Sequence, residues 1–305
     1  MKRTFLLCLV TSVALVCNAQ DKLYSNEFPI GQVKLLNGPL KHAQDLNIQT
    51  LLKYDCDRLM APFRKEAGLQ PKAKPYPNWD GLDGHVGGHY LSAMAMNAEL
   101  GSEECRSRME YILNELAECV EANNRLHPEW GKGYMGGVPN SENIWKNFKK
   151  GDFRIFNGAW VPFYNVHKMY AGLRDAWLYC GSEKAKTLFL QFCDWAIDLT
   201  SGLSDQQMEQ VLNMEHGGMN EVLADAYAMT HEQKYLDCAK RFSHKRILNP
   251  LSQHQDRLDN LHANTQVPKV VGFERIAELD GNETYHTASE FFWNIVTGER
   301  SLAVG

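Results

Sequence analysis

A short turn signature recurs along this chain and constrains its fold more than any other feature. It occurs four times, at Gly101-Ser102-Glu103, Gly181-Ser182-Glu183, Thr230-His231-Glu232 and Gly281-Asn282-Glu283. Glycine can end a helix in the left-handed conformation, serine or asparagine can cap the next helix, and glutamate suits the positive end of a helix dipole. The chain is therefore predicted to be a series of helical hairpins.

Hydrophobic residues between these turns follow a helical period. The clearest stripe is Ala185, Leu188, Phe189, Phe192, Cys193, Ala196 and Ile197, whose spacing places every member on one helix face. An earlier helix is predicted from about Ala43 to Arg64, and only the stretch from Gln32 to Leu36 alternates as a short strand would. The predicted fold class is all-α.

In each hairpin the helix before the turn is rich in small residues, as in Ser92 to Ala98 and Val222 to Ala228. Stacked hairpins of this kind form an open solenoid, or they close into a ring with the small-residue helices inside. We favour the ring, an (α/α)6 toroid, because its long loops would meet at one mouth and could build a cleft. The ring is predicted to be incomplete, and the sequence is expected to be the N-terminal part of a longer protein.

The first residues resemble a secretory signal peptide. A basic start, Met1-Lys2-Arg3, precedes an apolar stretch from Phe5 to Val16 and small residues at Cys17-Asn18-Ala19. We expect cleavage after Ala19 and export to the periplasm or outside the cell. Lipid attachment at Cys17 is the less favoured alternative, because a bulky residue precedes it. No later segment is long and apolar enough to predict a membrane span.

The predicted layout is a signal peptide at 1–19, an N-terminal extended segment at 20–42 and a partial toroid at 43–305. The net charge is −5, with 37 acidic and 32 basic residues, and loss of the leader would remove two of the basic ones. This balance predicts no nucleic-acid partner, whereas 10% aromatic residues fit a neutral sugar. The oligomeric state is not predicted.

Six cysteines would remain after cleavage, and none forms a CxxC pair: Cys56, Cys105, Cys119, Cys180, Cys193 and Cys238. Several lie on the apolar stripe of a predicted helix. Buried free thiols are therefore expected, rather than a disulfide framework or a zinc knuckle.

Four histidines lie at or near the start of the small-residue helices, at His89, His167, His216 and His262. They stand between 12 and 19 residues before the following turn, as for His89 and Gly101 or His262 and Gly281. At about 1.5 Å of rise per residue, the first three would lie roughly 20 Å from the turn, at the same mouth of the ring. One such histidine is more often a core or capping residue than a ligand, but four at one mouth indicate a site.

Groups that bind sugars surround these histidines: Trp79, Asp80, Trp160, Tyr164, Asn165, Glu215, Asn220, Glu221, Asn264 and Gln266. Each tryptophan alone is more often a core residue. Glu215 and Glu221 could pair as glycosidase carboxylates, but they come from one helix start, so this pairing is disfavoured. His85 and His89 could pair on a metal, but the intervening Gly87-Gly88 disfavours this pairing.

Five segments in order resemble the β-L-arabinofuranosidases of glycoside hydrolase family 127 and its relative, family 146. They are FPIGQVKLLNGPLKHAQDLN (28–47), GLDGHVGGHYLSAMAM (81–96), YNVHKMYAGLRDA (164–176), MEHGGMNEVLADAY (214–227) and HANTQVPKVVGFER (262–275). The resemblance runs from about Phe28 to the end of the chain. Together the segments are specific, whereas any one of them alone would not be.

The resemblance implies a catalytic toroid followed by β-sandwich domains. It implies retention of anomeric configuration by a zinc-bound cysteine thiolate, with a glutamate as acid and base. In the family these groups lie downstream of the segment corresponding to 291–305, so no catalytic or metal residue is assigned here, and the fragment is expected to be inactive alone. The substrate-binding residues carried over are His167, His216 and His262, with His89, Glu215 and Gln266 as neighbours.

The function implied for the full-length protein is removal of terminal β-L-arabinofuranosyl residues from plant cell-wall oligo- or polysaccharides. One alternative is a polysaccharide lyase on a similar toroid, in which a histidine and a tyrosine move protons beside a uronate. It would need arginine or lysine in the cleft to neutralise the uronate carboxylate, and the loop segments supply few such residues. The other alternative is a non-catalytic sugar-binding protein.

Overall fold

A computed structural model describes residues 28–77, 81–154 and 160–302, and in these ranges the protein is all α-helical. The helices are α1 (Pro39–Leu51), α2 (Cys56–Glu66), α3 (His85–Glu99), α4 (Glu103–Leu126), α5 (Ser141–Lys149), α6 (Pro162–Cys180), α7 (Glu183–Thr200), α8 (Asp205–Leu212), α9 (Met219–Thr230), α10 (Gln233–Arg241), α11 (Lys245–Ser252), α12 (Ala263–Asp280) and α13 (Glu283–Ile295). A 3-10 turn at Ile30–Gln32 precedes α1, and a π-helical turn at Val296–Arg300 follows α13.

Four helical hairpins form the body of the structure, as the turns predict. They are α3/α4, α6/α7, α9/α10 and α12/α13, and the short helices α5, α8 and α11 lie in the segments between them. The first helices pack in series, α3 on α6, α6 on α9 and α9 on α12, while α4 packs on α7 and α7 on α10. This two-layer arrangement is consistent with an α/α toroid.

The predicted caps are present at three of the four turns. Ser102 and Ser182 each accept a hydrogen bond of 3.3 Å from the main chain of the first helical turn, and Asn282 accepts one of 3.1 Å. Gly101, Gly181 and Gly281 all have positive φ. At the remaining turn, His231 takes the left-handed position with φ of 60°, so that turn is shifted by one residue from its predicted register.

Small residues let the inner helices approach closely. A Cβ at Gly88 on α3 would overlap the main-chain carbonyl of Lys168 on α6, and one at Gly172 would lie 2.7 Å from the carbonyl oxygen of Gly88. Gly272 on α12 is likewise covered by the side chain of Asn220 on α9. These contacts explain why the helix before each turn is rich in small residues.

The sequence-based boundaries differ from the structure at the N-terminal end. The prediction of one helix from Ala43 to Arg64 is wrong, because α1 begins at Pro39 and a break at 52–55 separates it from α2. Asp55 caps α2 by accepting 2.8 Å and 3.2 Å hydrogen bonds from the main chain of residues 57 and 58. The stretch from Gln32 to Leu36 forms no strand. The predicted signal peptide, and Trp79 with Asp80, lie outside the described residues.

The prediction of free thiols is confirmed for all six cysteines. Cys105, Cys119, Cys193 and Cys238 are buried, while Cys56 and Cys180 are half-buried. Burial raises the pKa of Cys119 and of Cys238 to about 12. Across residues 28–77, 81–154 and 160–302, no helix has the length and apolar character that crossing a membrane requires.

Candidate functional site

The candidate site lies where the inner helices begin. His89 is in the first two turns of α3, His167 is in the second turn of α6, His216 precedes α9, and His262 caps α12 through its main chain. Because these helices pack in series and each is followed by its hairpin turn, their starts lie at one mouth. The structure brings His89, His167 and His216 close enough that each of the other two acts electrostatically on His167.

Two glycines seat the ring of His167 against the loop that carries His216. A Cβ at Gly217 would lie 2.7 Å from Nδ1 of His167, and a Cβ at Gly218 would lie 2.9 Å from its Nε2. Gly217 also has φ of +57°, a conformation that residues with a side chain rarely adopt. The Gly-Gly step is therefore needed for the His167 ring to pack against the loop that carries His216.

The hydrogen bonds of His216 fix its tautomer. Its Nδ1 lies 3.1 Å from the carbonyl oxygen of Met214, and a carbonyl only accepts, so Nδ1 carries the proton. Nε2 is then an unprotonated acceptor, and it is buried with no hydrogen-bond partner among the described protein atoms. Burial, together with the charge of Lys269, lowers the pKa of His216 to about 3. The imidazole is therefore neutral at ordinary pH.

His167 has the opposite tautomer. The Lys168 ammonium, which also lies 4.0 Å from the ring centre of Tyr164, is 3.3 Å from Nδ1 of His167. An ammonium only donates, so Nδ1 accepts and Nε2 carries the proton. Burial and the neighbouring Lys168 hold the pKa of His167 well below its usual value. The mouth thus presents one imidazole donor and one imidazole acceptor, both uncharged.

His89 has an exposed side chain. Desolvation by the surrounding protein, with smaller contributions from Lys168 and His85, lowers the pKa of His89 to about 4. A third neutral imidazole therefore borders the site.

The two predicted carboxylates have different surroundings. Glu215 is half-buried and accepts a 3.3 Å hydrogen bond from Asn264 on α12. Glu221 is 3.3 Å from Arg174, and burial raises the pKa of its carboxyl. Arg174 also pairs with Asp225 at 2.7 Å, which places Glu221 at the edge of a buried ion network joining α6 and α9.

His262 and Gln266 occupy the first turn of α12. Gln266 is buried, donates from Nε2 to the carbonyl of His262 at 3.5 Å, and has no protein partner for Oε1 among the described atoms. The His262 side chain is exposed at the rim. The structure thus places the buried amide of Gln266 deeper than the imidazole that precedes it.

Two of the asparagines named as possible sugar-binding groups also make structural hydrogen bonds. Asn165 donates to the main-chain carbonyl of Asp83, and Asn220 donates to that of Lys269, each at 2.8 Å. Both hydrogen bonds tie one inner helix to a neighbouring part of the inner layer. Trp160 is half exposed, with 50% of its surface accessible.

Cations at the site were missed by the sequence analysis. Lys168 on α6 and Lys269 on α12 both act electrostatically on histidines of the site, and both lie on helices. Lys269 donates a 3.0 Å hydrogen bond to Nδ1 of His244, a residue outside the repeating positions. In the sequence, Lys269 stands out only because it directly precedes the apolar pair Val270 and Val271, within a helix that is predicted to lie in the inner layer.

The described residues do not fit a zinc centre. Within 28–77, 81–154 and 160–302, no three histidine, cysteine or acidic residues converge as metal ligands would. His85 and His89 have ring centres 6.1 Å apart in an edge-to-face arrangement, and Nδ1 of His85 lies 2.6 Å from the carbonyl oxygen of Leu82. Burial raises the pKa of the Cys119, Cys193 and Cys238 thiols, which opposes thiolate formation at these positions.

Comparison with known proteins identifies the family. Residues 32–305 match the family described as β-L-arabinofuranosidase, GH127 catalytic domain. The chain matches none of the curated proteins with which it was compared. The family match covers the helical hairpins and every residue of the candidate site. The chain therefore belongs to the GH127 β-L-arabinofuranosidase catalytic-domain family, a family of glycoside hydrolases.

Proposed function

We propose that the complete protein removes terminal β-L-arabinofuranosyl residues from plant cell-wall glycans and that the histidine mouth holds the terminal sugar. The observation that carries this proposal is the buried Nε2 of His216, which has no hydrogen-bond partner among the described atoms. Sugar hydroxyls both donate and accept hydrogen bonds, so one hydroxyl can donate to this nitrogen while another sugar oxygen accepts from Nε2 of His167. A buried acceptor left without a partner costs free energy, which favours a ligand that supplies one.

The other neighbours fit a neutral polyol. Gln266 offers a buried amide oxygen without a protein partner, and Glu215, held by Asn264, can accept from a hydroxyl at the rim. Neutral imidazoles bind hydroxyl groups without the desolvation cost of a charged partner. In this proposal His167, His216, Gln266 and Glu215 bind and orient the sugar, His89 and His262 border it, and none of them is assigned a proton-transfer step.

Zinc remains part of the proposal for the complete enzyme only. Bound zinc would hold a cysteine sulfur ionised as the nucleophile. Its ligands, and the acid/base glutamate, would come from residues beyond 305. Export through the predicted leader, to the periplasm or outside the cell, would bring the enzyme to its polysaccharide substrate.

The test is release of L-arabinose from an aryl β-L-arabinofuranoside by the complete protein. Wild-type protein should release the sugar, His216→Ala should lower kcat/KM by on the order of 100-fold or more, and chelation should abolish activity. His286→Ala is the matched control, because His286 is an exposed histidine on α13 that pairs with Glu274. Activity unaffected by chelation would contradict the zinc mechanism.

The alternatives give different products. A lyase would release an unsaturated uronate, detected by its ultraviolet absorbance, and would act on a uronate polymer instead of an arabinofuranoside. Lys168 and Lys269 are the observation in its favour, but the family match supports a hydrolase. Binding of the glycan with no product of either kind would favour a non-catalytic sugar-binding protein.

A further inference from the structure

Behind the histidine mouth lies a buried cation that the proposed sugar contacts do not use. Lys269 on α12 has 2% of its surface accessible, and its ammonium donates a 3.0 Å hydrogen bond to Nδ1 of His244. His244, which caps α11 and is 3% accessible, has its ring centre 6.3 Å from that of His216. The three side chains thus form a short series from the lysine to the imidazole at the mouth.

This arrangement fixes the tautomer of His244. An ammonium only donates, so Nδ1 of His244 accepts and its Nε2 carries the proton. That Nε2 lies 3.9 Å from Oε2 of Glu209 on α8, beyond normal hydrogen-bonding distance. A positive charge this close to a buried imidazole opposes protonation of that imidazole.

We propose that Lys269 and His244 are positioning residues that keep His216 neutral, with its Nε2 available to accept a hydrogen bond from a sugar hydroxyl. This inference rests on the proposed function, because it gives the lone pair of His216 a role in sugar binding. Burial is the largest cause of the lowered pKa of His216 and of His244, and the charge of Lys269 is the next cause for both. The charged or titratable groups that act on Lys269 in turn include Glu209 on α8, Glu215 before α9, and Arg246 and His244 at the start of α11.

A measurement without any sugar tests the arrangement on the wild-type chain. Histidine side chains labelled with ¹⁵N give nitrogen shifts that separate protonated from unprotonated nitrogens. Burial lowers the pKa of Lys269 to about 8, so the His244 nitrogen shifts should change with a midpoint near that pH, as Lys269 loses its charge and its hydrogen bond to Nδ1 weakens. His244 nitrogens that stay constant through this range would overturn the proposal.

Variants then test the effect on His216. Lys269→Met removes the charge at similar length, so protonation of His216 should move toward higher pH by roughly one unit. Lys269→Arg keeps the charge and should restore most of the wild-type titration. Lys245→Met is the matched control, because Lys245 is an exposed lysine next to His244. An unchanged His216 titration in folded Lys269→Met would overturn the proposal.

Measurement of sugar binding distinguishes a failure of this inference from a failure of the proposed function. The affinity for an aryl β-L-arabinofuranoside should fall on the acid side at a pH roughly one unit higher in Lys269→Met than in the wild type. If neither the wild-type protein nor any variant binds the sugar, the proposed function is contradicted. The nitrogen titrations still decide the role of Lys269 in that case. If the sugar binds with the same pH profile in both proteins, the positioning role is contradicted.

Discussion

Gly88 of α3 lies directly against the main-chain carbonyl of Lys168 on α6, so closely that a side chain on Gly88 would overlap it. This contact joins the two inner helices one residue after His167. The packing of the inner layer and the geometry of the site therefore depend on the same pair of residues.

Gly88→Ala should destabilise the protein by about 1–3 kcal/mol, because the new methyl group must displace backbone. The helical preference of alanine over glycine, at most about 1 kcal/mol, offsets only part of this cost. Urea unfolding measures the change. Gly202→Ala is the control, since a Cβ there meets no atom within 4 Å; equal effects of the two substitutions would contradict the close approach.

Asp225 on α9 is the centre of a buried ion network. Fully buried, it accepts hydrogen bonds from Arg174 at 2.7 Å and from Arg275 at 2.8 Å. Asp225→Asn should cost on the order of 3 kcal/mol, because it removes a buried counter-charge that Arg174 and Arg275 share. Asp198→Asn removes an exposed pair with Lys149 and should cost less than about 1 kcal/mol in the same assay.

Acid should destabilise the protein through its buried histidines. Burial, followed by the charge of Lys269, lowers the folded-state pKa of His216 and of His244 to about 3, whereas the unfolded value is about 6.5. Between these values the unfolded chain binds more protons, so stability falls as pH falls. One such histidine would cost about 2 kcal/mol between pH 7 and pH 5.

His216→Gln should therefore reduce the slope of unfolding free energy against pH below about 6.5. His286→Gln is the control, because its hydrogen bond with Glu274 raises the pKa of this exposed histidine instead. A wild-type stability that stays constant from pH 7 to pH 4 would show that these imidazoles are not buried as neutral groups.

The cysteines should differ in reactivity according to burial. Cys105, Cys119, Cys193 and Cys238 should resist alkylation in the folded protein, while half-buried Cys56 and Cys180 should react slowly. After unfolding in denaturant, all six should react equally. Mass spectrometry of labelled peptides gives the rates, and fast labelling of Cys193 in the folded state would contradict the packing of α7.

The sequence predicted the hairpins because each turn carries its own local signal. Gly281 and Asn282, for example, stop one helix and start the next without help from distant residues. The break between α1 and α2 was missed because the apolar spacing continues across 52–55, and only the cap at Asp55 marks it. The short helices α5, α8 and α11 lie between the hairpins, where the sequence analysis predicted long loops and no helices.

The sequence predicted the site only in part, because some of its contacts depend on the packing of distant segments. His167 and His216 occupy repeated positions at helix starts, so their meeting followed from the hairpin pattern. Lys269 and His244 lie 25 residues apart on different elements, and their contact depends on how α11 packs near α12. No local spacing encodes that contact. The roles of Asn165 and Asn220 as main-chain ties also required the packing to be known.

A structure of the complete protein with L-arabinose bound tests the central claim most directly. We predict a furanose at the mouth of the inner helices. One of its hydroxyl groups should donate to Nε2 of His216, and another oxygen should accept from Nε2 of His167. A sugar bound elsewhere, for example in the groove between α12 and α13 beside Trp293, with both imidazoles uncontacted, would contradict it.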